Sequence, residues 1–244
     1  MKIPKLEKLN LFVTHEDLHN LKILHLSDLH INKKTDNLSI ELLIDYCKGF
    51  KYDFLVITGD IIDCKVKYIK EKLNLLNKLA KKTKVFYISG NHDIFYGLEE
   101  LKTCLKDFIL LDNINQEFEY KNKTVNLVGI SDRFSKLFNI QREEGKVSTL
   151  LETKQATIFL AHQPKDYSLA LDKAQVFLCG HTHGGQIFPF GYFVKLFQPF
   201  LSGIYYVKDM AIFVSNGLGT WGINARFKAP SQITLLKLIS KGVE

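Results

Sequence analysis

The chain has 244 residues, 46% hydrophobic and 24% charged, with 15 glycines and 5 prolines. These proportions exclude a disordered or collagen-like chain and provide for a proper core, which we read as one domain over 1–244. The net charge of +7 favours an anionic partner, but arginine occurs only at 133, 142 and 226 and the lysines are dispersed, so no specific nucleic-acid reader is expected.

In chain order, the N-terminal decapeptide lacks the apolar core of a leader, and no later stretch has the roughly 18 consecutive apolar residues of a membrane helix. H-E-D-L-H at 15–19 matches a zincin pattern. It is read as a chance match, because only about one helical turn fits before the first strand, 21–28. A helix is predicted over 37–50, with apolar residues at 40, 43, 44 and 47, and a strand over 53–60. The spacing 66, 69, 73, 76, 79 predicts a helix over 65–82, followed by a strand at 84–91 and a shorter helix at 97–107. Strands follow at 125–132, 156–162, 175–181, 210–216 and 233–239, with a helix candidate at 164–173. Segments 131–153 and 187–207 interrupt this rhythm and read as insertions over one end of a sheet. The second is aromatic-rich, either packing on the domain's own core or facing a bilayer or acyl chain. Strands alternating with helices define an α/β fold. Cysteines 47, 64, 104 and 179 form no C-x-x-C, which suits a reducing, cytoplasmic location.

The strand ends carry the chemistry. They present Asp28 and His30 in S-D-L-H, Asp60 in T-G-D, Asn91, His92 and Asp93 in G-N-H-D, His162 in A-H-Q-P, and His181 and His183 in G-H-T-H. Loops leaving the carboxyl ends of parallel strands converge on one crevice. Leaving His92 aside, the set holds two carboxylates, one amide and four imidazoles, with no thiolate. That mixture fits manganese, iron, zinc or cobalt. Seven ligands are too many for one tetrahedral ion and suit two ions sharing a carboxylate, the usual device for phosphate ester hydrolysis by a hydroxide attacking in line. His25, inside the first strand, and Cys179 are read as buried structural residues, and G-L-G-T-W-G at 217–222 as a glycine-rich loop near the site.

The ordered set D-x-H, G-D, G-N-H-D, H and G-H-x-H resembles the calcineurin-like metallophosphoesterase superfamily over about 21–184. The resemblance implies a four-layer αββα sandwich with a dimetal site at its rim and two divalent ions, manganese first. It places Asp28, His30 and His183 on one ion, Asp60 between the ions, and Asn91, His162 and His181 on the other. His92 corresponds to the catalytic histidine, acting on the transition state or the leaving oxygen. Asp93 would either orient it or cap the helix near 97. Asp63 is either a support for a ligating histidine or a plain surface residue, and Arg226 either a phosphate contact or part of a surface ion pair.

G-H-T-H-G-G-Q-I-F-P-F and S-N-G-L-G-T-W-G-I-N-A-R-F look like a bacterial branch acting on phosphate esters, similar to UDP-2,3-diacylglucosamine pyrophosphatases. The expected substrate is therefore a small-molecule or lipid phosphate monoester, diester or pyrophosphate, with optional contact of 187–207 at the inner membrane face. Three rivals make distinct forecasts. A nuclease needs lysines beside the crevice, a non-catalytic module tolerates broken ligand sets, and a zinc protease depends on His15.

Overall fold

The computed structural model describes residues 2–240 and 242. Its elements are β1 (Glu7–Val13), β2 (Lys22–Leu26), α1 (Asn37–Lys48), β3 (Phe54–Thr58), α2 (Lys70–Leu76), β4 (Val85–Ile88), α3 (Asn91–Cys104), β5 (Ile109–Leu110), β6 (Asn115–Tyr120), β7 (Lys123–Gly129), α4 (Glu144–Leu151), β8 (Ala156–Leu160), α5 (Tyr167–Ala170), β9 (Val176–Cys179), α6 (Gly191–Phe197), β10 (Gly203–Val207), β11 (Met210–Val214) and β12 (Thr234–Ser240). Two six-stranded mixed sheets result, in the orders β1-β12-β2-β3-β4-β5 and β10-β11-β9-β8-β7-β6.

Strands β3, β4, β8, β9 and β11 are buried at every position. This is why they read as unbroken apolar runs rather than alternating ones. One face of each sheet meets the other sheet, with Ile23, Phe54, Val56 and Phe86 opposite Leu127, Ile158, Leu178 and Phe213. The outer face of the first sheet is covered through Leu43, Ile44, Leu73 and Leu101. That of the second is covered through Val147, Leu151 and Ala170. The layers therefore run helix, sheet, sheet, helix, as the resemblance implies.

The helices differ from expectation in detail. Asp36 caps α1 by accepting from the Ser39 N–H at 2.6 Å. The predicted helix 65–82 is α-helical only over 70–76, with tighter 3₁₀ turns at 66–68 and 77–81. Its apolar spacing survives, since Val66, Ile69, Leu73, Leu76 and Leu79 are all buried. Helix α3 begins at Asn91, six residues earlier than expected, and breaks at Gly97, whose φ of 127° is closed to other residues. Most of the apolar spacing, Leu98, Leu101 and Cys104, lies after the break, and the first turn carries site residues, with Ile94 its one buried apolar side chain. Segment 131–153 forms a 3₁₀ turn at 133–138 and α4. Segment 187–207 forms α6 and β10. Among the described residues no helix is long and apolar enough to cross a membrane.

Candidate metal centre

Parallel pairing of β2, β3 and β4 in one sheet and of β8 and β9 in the other brings five carboxyl ends to one edge of the sandwich. All seven predicted ligands meet there. Five of them hold left-handed backbone: Asp28 (φ 50°), His30 (47°), Asp60 (51°), His181 (70°) and His183 (52°). Such conformations are uncommon outside glycine and persist only where the surroundings impose them. Glycines let the turns close on one another. A Cβ on Gly180 would lie 1.9 Å from Ser27 Oγ, and one on Gly90 would lie 2.1 Å from Asp60 Oδ1.

Among the groups formed are a buried trio, Asp28–His30–His183, and a second, Asp60–His162–His181, in which His181 is half-buried; in each the ligand atoms lie within 4.8 Å of one another. In the first, His183 Nε2 is 3.3 Å from Asp28 Oδ1 and 3.0 Å from His30 Nε2. In the second, His162 Nε2 is 3.3 Å from Asp60 Oδ2, 3.2 Å from Asn91 Oδ1 and 3.2 Å from His181 Nδ1. Asp60 Oδ2 is also 3.6 Å from His30 Nε2, so one carboxylate spans both trios.

The protonation pattern suits cations. His162 Nδ1 lies 2.8 Å from the Thr58 carbonyl, which only accepts, so Nδ1 carries a proton. Nε2 then presents either a second proton or a lone pair to Asp60. Burial opposes charge on His162, but Asp60 and Asp28 outweigh it and hold its pKa well above the ordinary value. Burial, then the charge of His162, brings His181 down to about 4, and burial lowers His183. Burial also works against ionised Asp28 and Asp60, yet the facing histidines hold both below the ordinary range. Two carboxylates, an amide and four imidazoles gathered at one edge form a donor set that two divalent ions fit once His162 gives up its Nε2 proton.

His92 heads α3. Its N–H donates to Asp60 Oδ1 at 2.9 Å, and its Nδ1 lies 2.8 Å from Asp63 Oδ1. Burial opposes its protonation, but the Asp63 bond together with the charges of Asp60 and Asp63 outweighs burial and raises its pKa. Asp63 is thus the carboxylate bonded to His92, and of the two roles expected for Asp93 the geometry fits capping and not orienting. Asp93 accepts from the Gly90 N–H with one oxygen and from those of Ile61 and Ile62 with the other. It ties the β3 and β4 turns together and caps a helix that starts at Asn91 rather than near 97.

Because Asp63 raises the His92 pKa, Asp63→Asn should lower it. If His92 acts as an acid, activity falls as pH rises through that pKa, so the alkaline limb of the rate profile should move to lower pH. A drop in kcat of about 10–100-fold is expected with metal content unchanged, read from pH–rate profiles and elemental analysis.

Arg226 makes no ion pair among the described residues, and its donors are turned toward the protein's own carbonyls. Its guanidinium donates to the carbonyls of His183, Asn216, Gly217, Gly219 and Ala229, and lies 3.1 Å from His183 Nδ1. It clamps the glycine-rich loop beneath the site. That loop is also held by N–H donation from Leu218 to the Ser27 carbonyl and from Gly219 to the Asp28 carbonyl. The H-E-D-L-H stretch makes only a three-residue 3₁₀ turn, and its His19 accepts from the Ser240 N–H.

A cleft of about 960 Å³ opens from the centre. Asp60, Asn91 and His92 line one side, and Phe188, Phe190, Phe193, Phe197 and Ile223 the other. Those phenylalanines are 47%, 47%, 59% and 66% exposed, which overturns the reading that they pack on the core. Among the described residues no lysine or arginine lines the cleft.

The fold and the gathered donor set point to one class of protein, and the comparisons give its family. The family model for calcineurin-like phosphoesterases matches residues 21–185, and the chain belongs to that family. It is 34% identical over 242 residues to an uncharacterised metallophosphoesterase of Helicobacter pylori, covering 98% of this chain and 65% of that one. It is 34% identical over 232 residues to one of Campylobacter jejuni, covering 91% and 60%. The chain thus spans less than two thirds of either relative. Among solved structures, a dimetal phosphatase from Danio rerio superposes with a TM-score of 0.56 at 12% identity, covering 82% of this chain and 88% of that one.

Proposed function

We propose that this chain acts as a single-domain, dinuclear metal-dependent phosphoesterase. Asp28, His30 and His183 would hold one ion, Asn91, His162 and His181 the other, and Asp60 both, with manganese the first choice. The observation that carries this reading is the single Asp60 carboxylate, which belongs to one trio of metal-type donors and reaches His30 of the other. The ions, when bound, supply Lewis acidity toward the phosphoryl oxygens and acidify water between them. The protein's own groups do the rest. The Asp63–His92 pair holds a proton at the mouth of the cleft, ready for the leaving oxygen. The inter-sheet packing keeps the ligand loops in strained geometries that solvent-exposed loops would not hold.

The aromatic wall supports a phosphate ester with an apolar, lipid-like leaving group, of which a nucleotide-sugar lipid such as UDP-2,3-diacylglucosamine is one form. No carboxylate occurs between 173 and 208. Lys228 Nζ lies 4.5 Å over the Phe188 ring, so the same face suits peripheral contact with a phosphate-bearing inner membrane surface. The four cysteines are free, which supports a cytoplasmic location.

The test is a substrate panel on metal-stripped protein with and without manganese: a chromogenic monoester, a chromogenic diester, a nucleotide-sugar lipid and single-stranded DNA. Hydrolysis should require the metal. The lipid should exceed the chromogenic esters in kcat/KM by about tenfold or more, since two buried methylenes already contribute about 1.6 kcal/mol. Preference for DNA would favour the nuclease instead, and metal-independent turnover would overturn the mechanism.

A further inference from the structure

His25 is fully buried between the two sheets, its ring edge-on to Phe213 at 5.4 Å between centroids. Its Nδ1 has no hydrogen-bond partner among the described residues. A buried polar atom left unpaired is destabilising, so an aliphatic side chain would suit this layer better. Burial lowers its pKa to about 3, which keeps the ring neutral.

What the ring contributes lies at the other nitrogen. Nε2 is 2.8 Å from Thr58 Oγ1. The Thr58 hydroxyl donates to Ser27 Oγ at 2.9 Å, and the Ser27 hydroxyl donates to Asp28 Oδ2 at 2.5 Å. Because the Thr58 proton is directed to Ser27, Thr58 Oγ1 accepts from His25, which fixes the imidazole proton on Nε2. All three bonds therefore point toward Asp28, and hydrogen bonds aligned in this way polarise one another. The far oxygen, Asp28 Oδ1, faces His183. Thr58 also links the trios, because its carbonyl receives His162 Nδ1.

We propose that His25 is a positioning residue for the metal centre, acting through Thr58 and Ser27 to fix the orientation of the Asp28 carboxylate as a ligand of one ion. The proposal rests on the dinuclear reading. Removal of the donor should free Thr58 to turn away from Ser27, leaving Asp28 with one fixed partner fewer.

The experiment is calorimetric titration of metal-stripped protein with manganese chloride, for the parent, His25→Leu, His25→Gln, Ser27→Ala and the His25→Leu/Ser27→Ala double variant. His25→Leu should weaken one of the two ions by about 10–100-fold and leave the other within a fewfold. Its metal-free thermal midpoint should equal or exceed the parent's, since the orphaned nitrogen is gone. His25→Gln, whose amide N–H can replace Nε2–H, should restore most of the affinity. The double variant should bind no worse than Ser27→Ala, because a relay already cut cannot be cut again. Parental affinity in His25→Leu, no rescue by glutamine, or additive losses in the double variant would each overturn the proposal while sparing the dinuclear reading. A parent protein that takes up no manganese would overturn both.

Discussion

Asp60→Asn is expected to bind at most one ion tightly and to lose kcat/KM by on the order of 10³-fold or more, about 4 kcal/mol of transition-state stabilisation. Asparagine keeps the size of the side chain and can still accept the His92 N–H that Asp60 Oδ1 accepts at 2.9 Å. What it removes is the charge, at the one position within reach of both His30 and His162. His162 then loses the partner that raises its pKa, so its Nε2 should become an ordinary weak base, while the outer trio Asp28–His30–His183 stays complete. Elemental analysis after gel filtration, alongside steady-state kinetics, checks this. Two ions retained with parental turnover would show that Asp60 does not join the trios.

The strands that were legible in the sequence and those that were not divide by position. All eight strands expected from apolar runs, β2, β3, β4, β7, β8, β9, β11 and β12, lie inside the two sheets. The four that went unread, β1, β5, β6 and β10, are the outermost strands on either side. Edge strands carry polar and charged residues that discourage pairing with other chains. In β1 (EKLNLFV) and β6 (NQEFEY) those residues hide the alternation. The ligand loops were legible for the opposite reason. Aspartate and histidine beside glycine at the ends of buried strands are costly to place unless something uses them. Their supports were harder to read. Ser27 and Thr58 are ordinary hydroxyls whose partners lie on a neighbouring strand, and Arg226 is committed to carbonyls from three separate turns. Such contacts exist only once the chain is folded, and no local spacing announces them. The glycine at 97 had the same effect on α3. It divides the apolar part of the helix from its first turn, so the turn that carries Asn91 and His92 reads as a loop.

His92→Ala should retain both ions and lose about 10²–10⁴-fold in kcat, the range typical of general acid catalysis. A competing role is visible in the geometry, since His92, His30 and Asp60 also bring ligand atoms within 4.8 Å of one another. The Nδ1 bond to Asp63 at 2.8 Å argues against ligation through that atom. The two roles differ in what they predict for different esters. An acid that protonates the leaving oxygen matters most when that oxygen is strongly basic, as in an alkyl ester. It matters little for a nitrophenolate, which departs without help. The loss in His92→Ala should therefore be much larger for alkyl than for nitrophenyl phosphate esters, and the alkaline limb of the pH–rate profile should disappear. A ligand role would instead lower the metal content and reduce turnover of both esters alike. Equal losses for the two leaving groups, with one ion missing, would move His92 from proton donor to ligand.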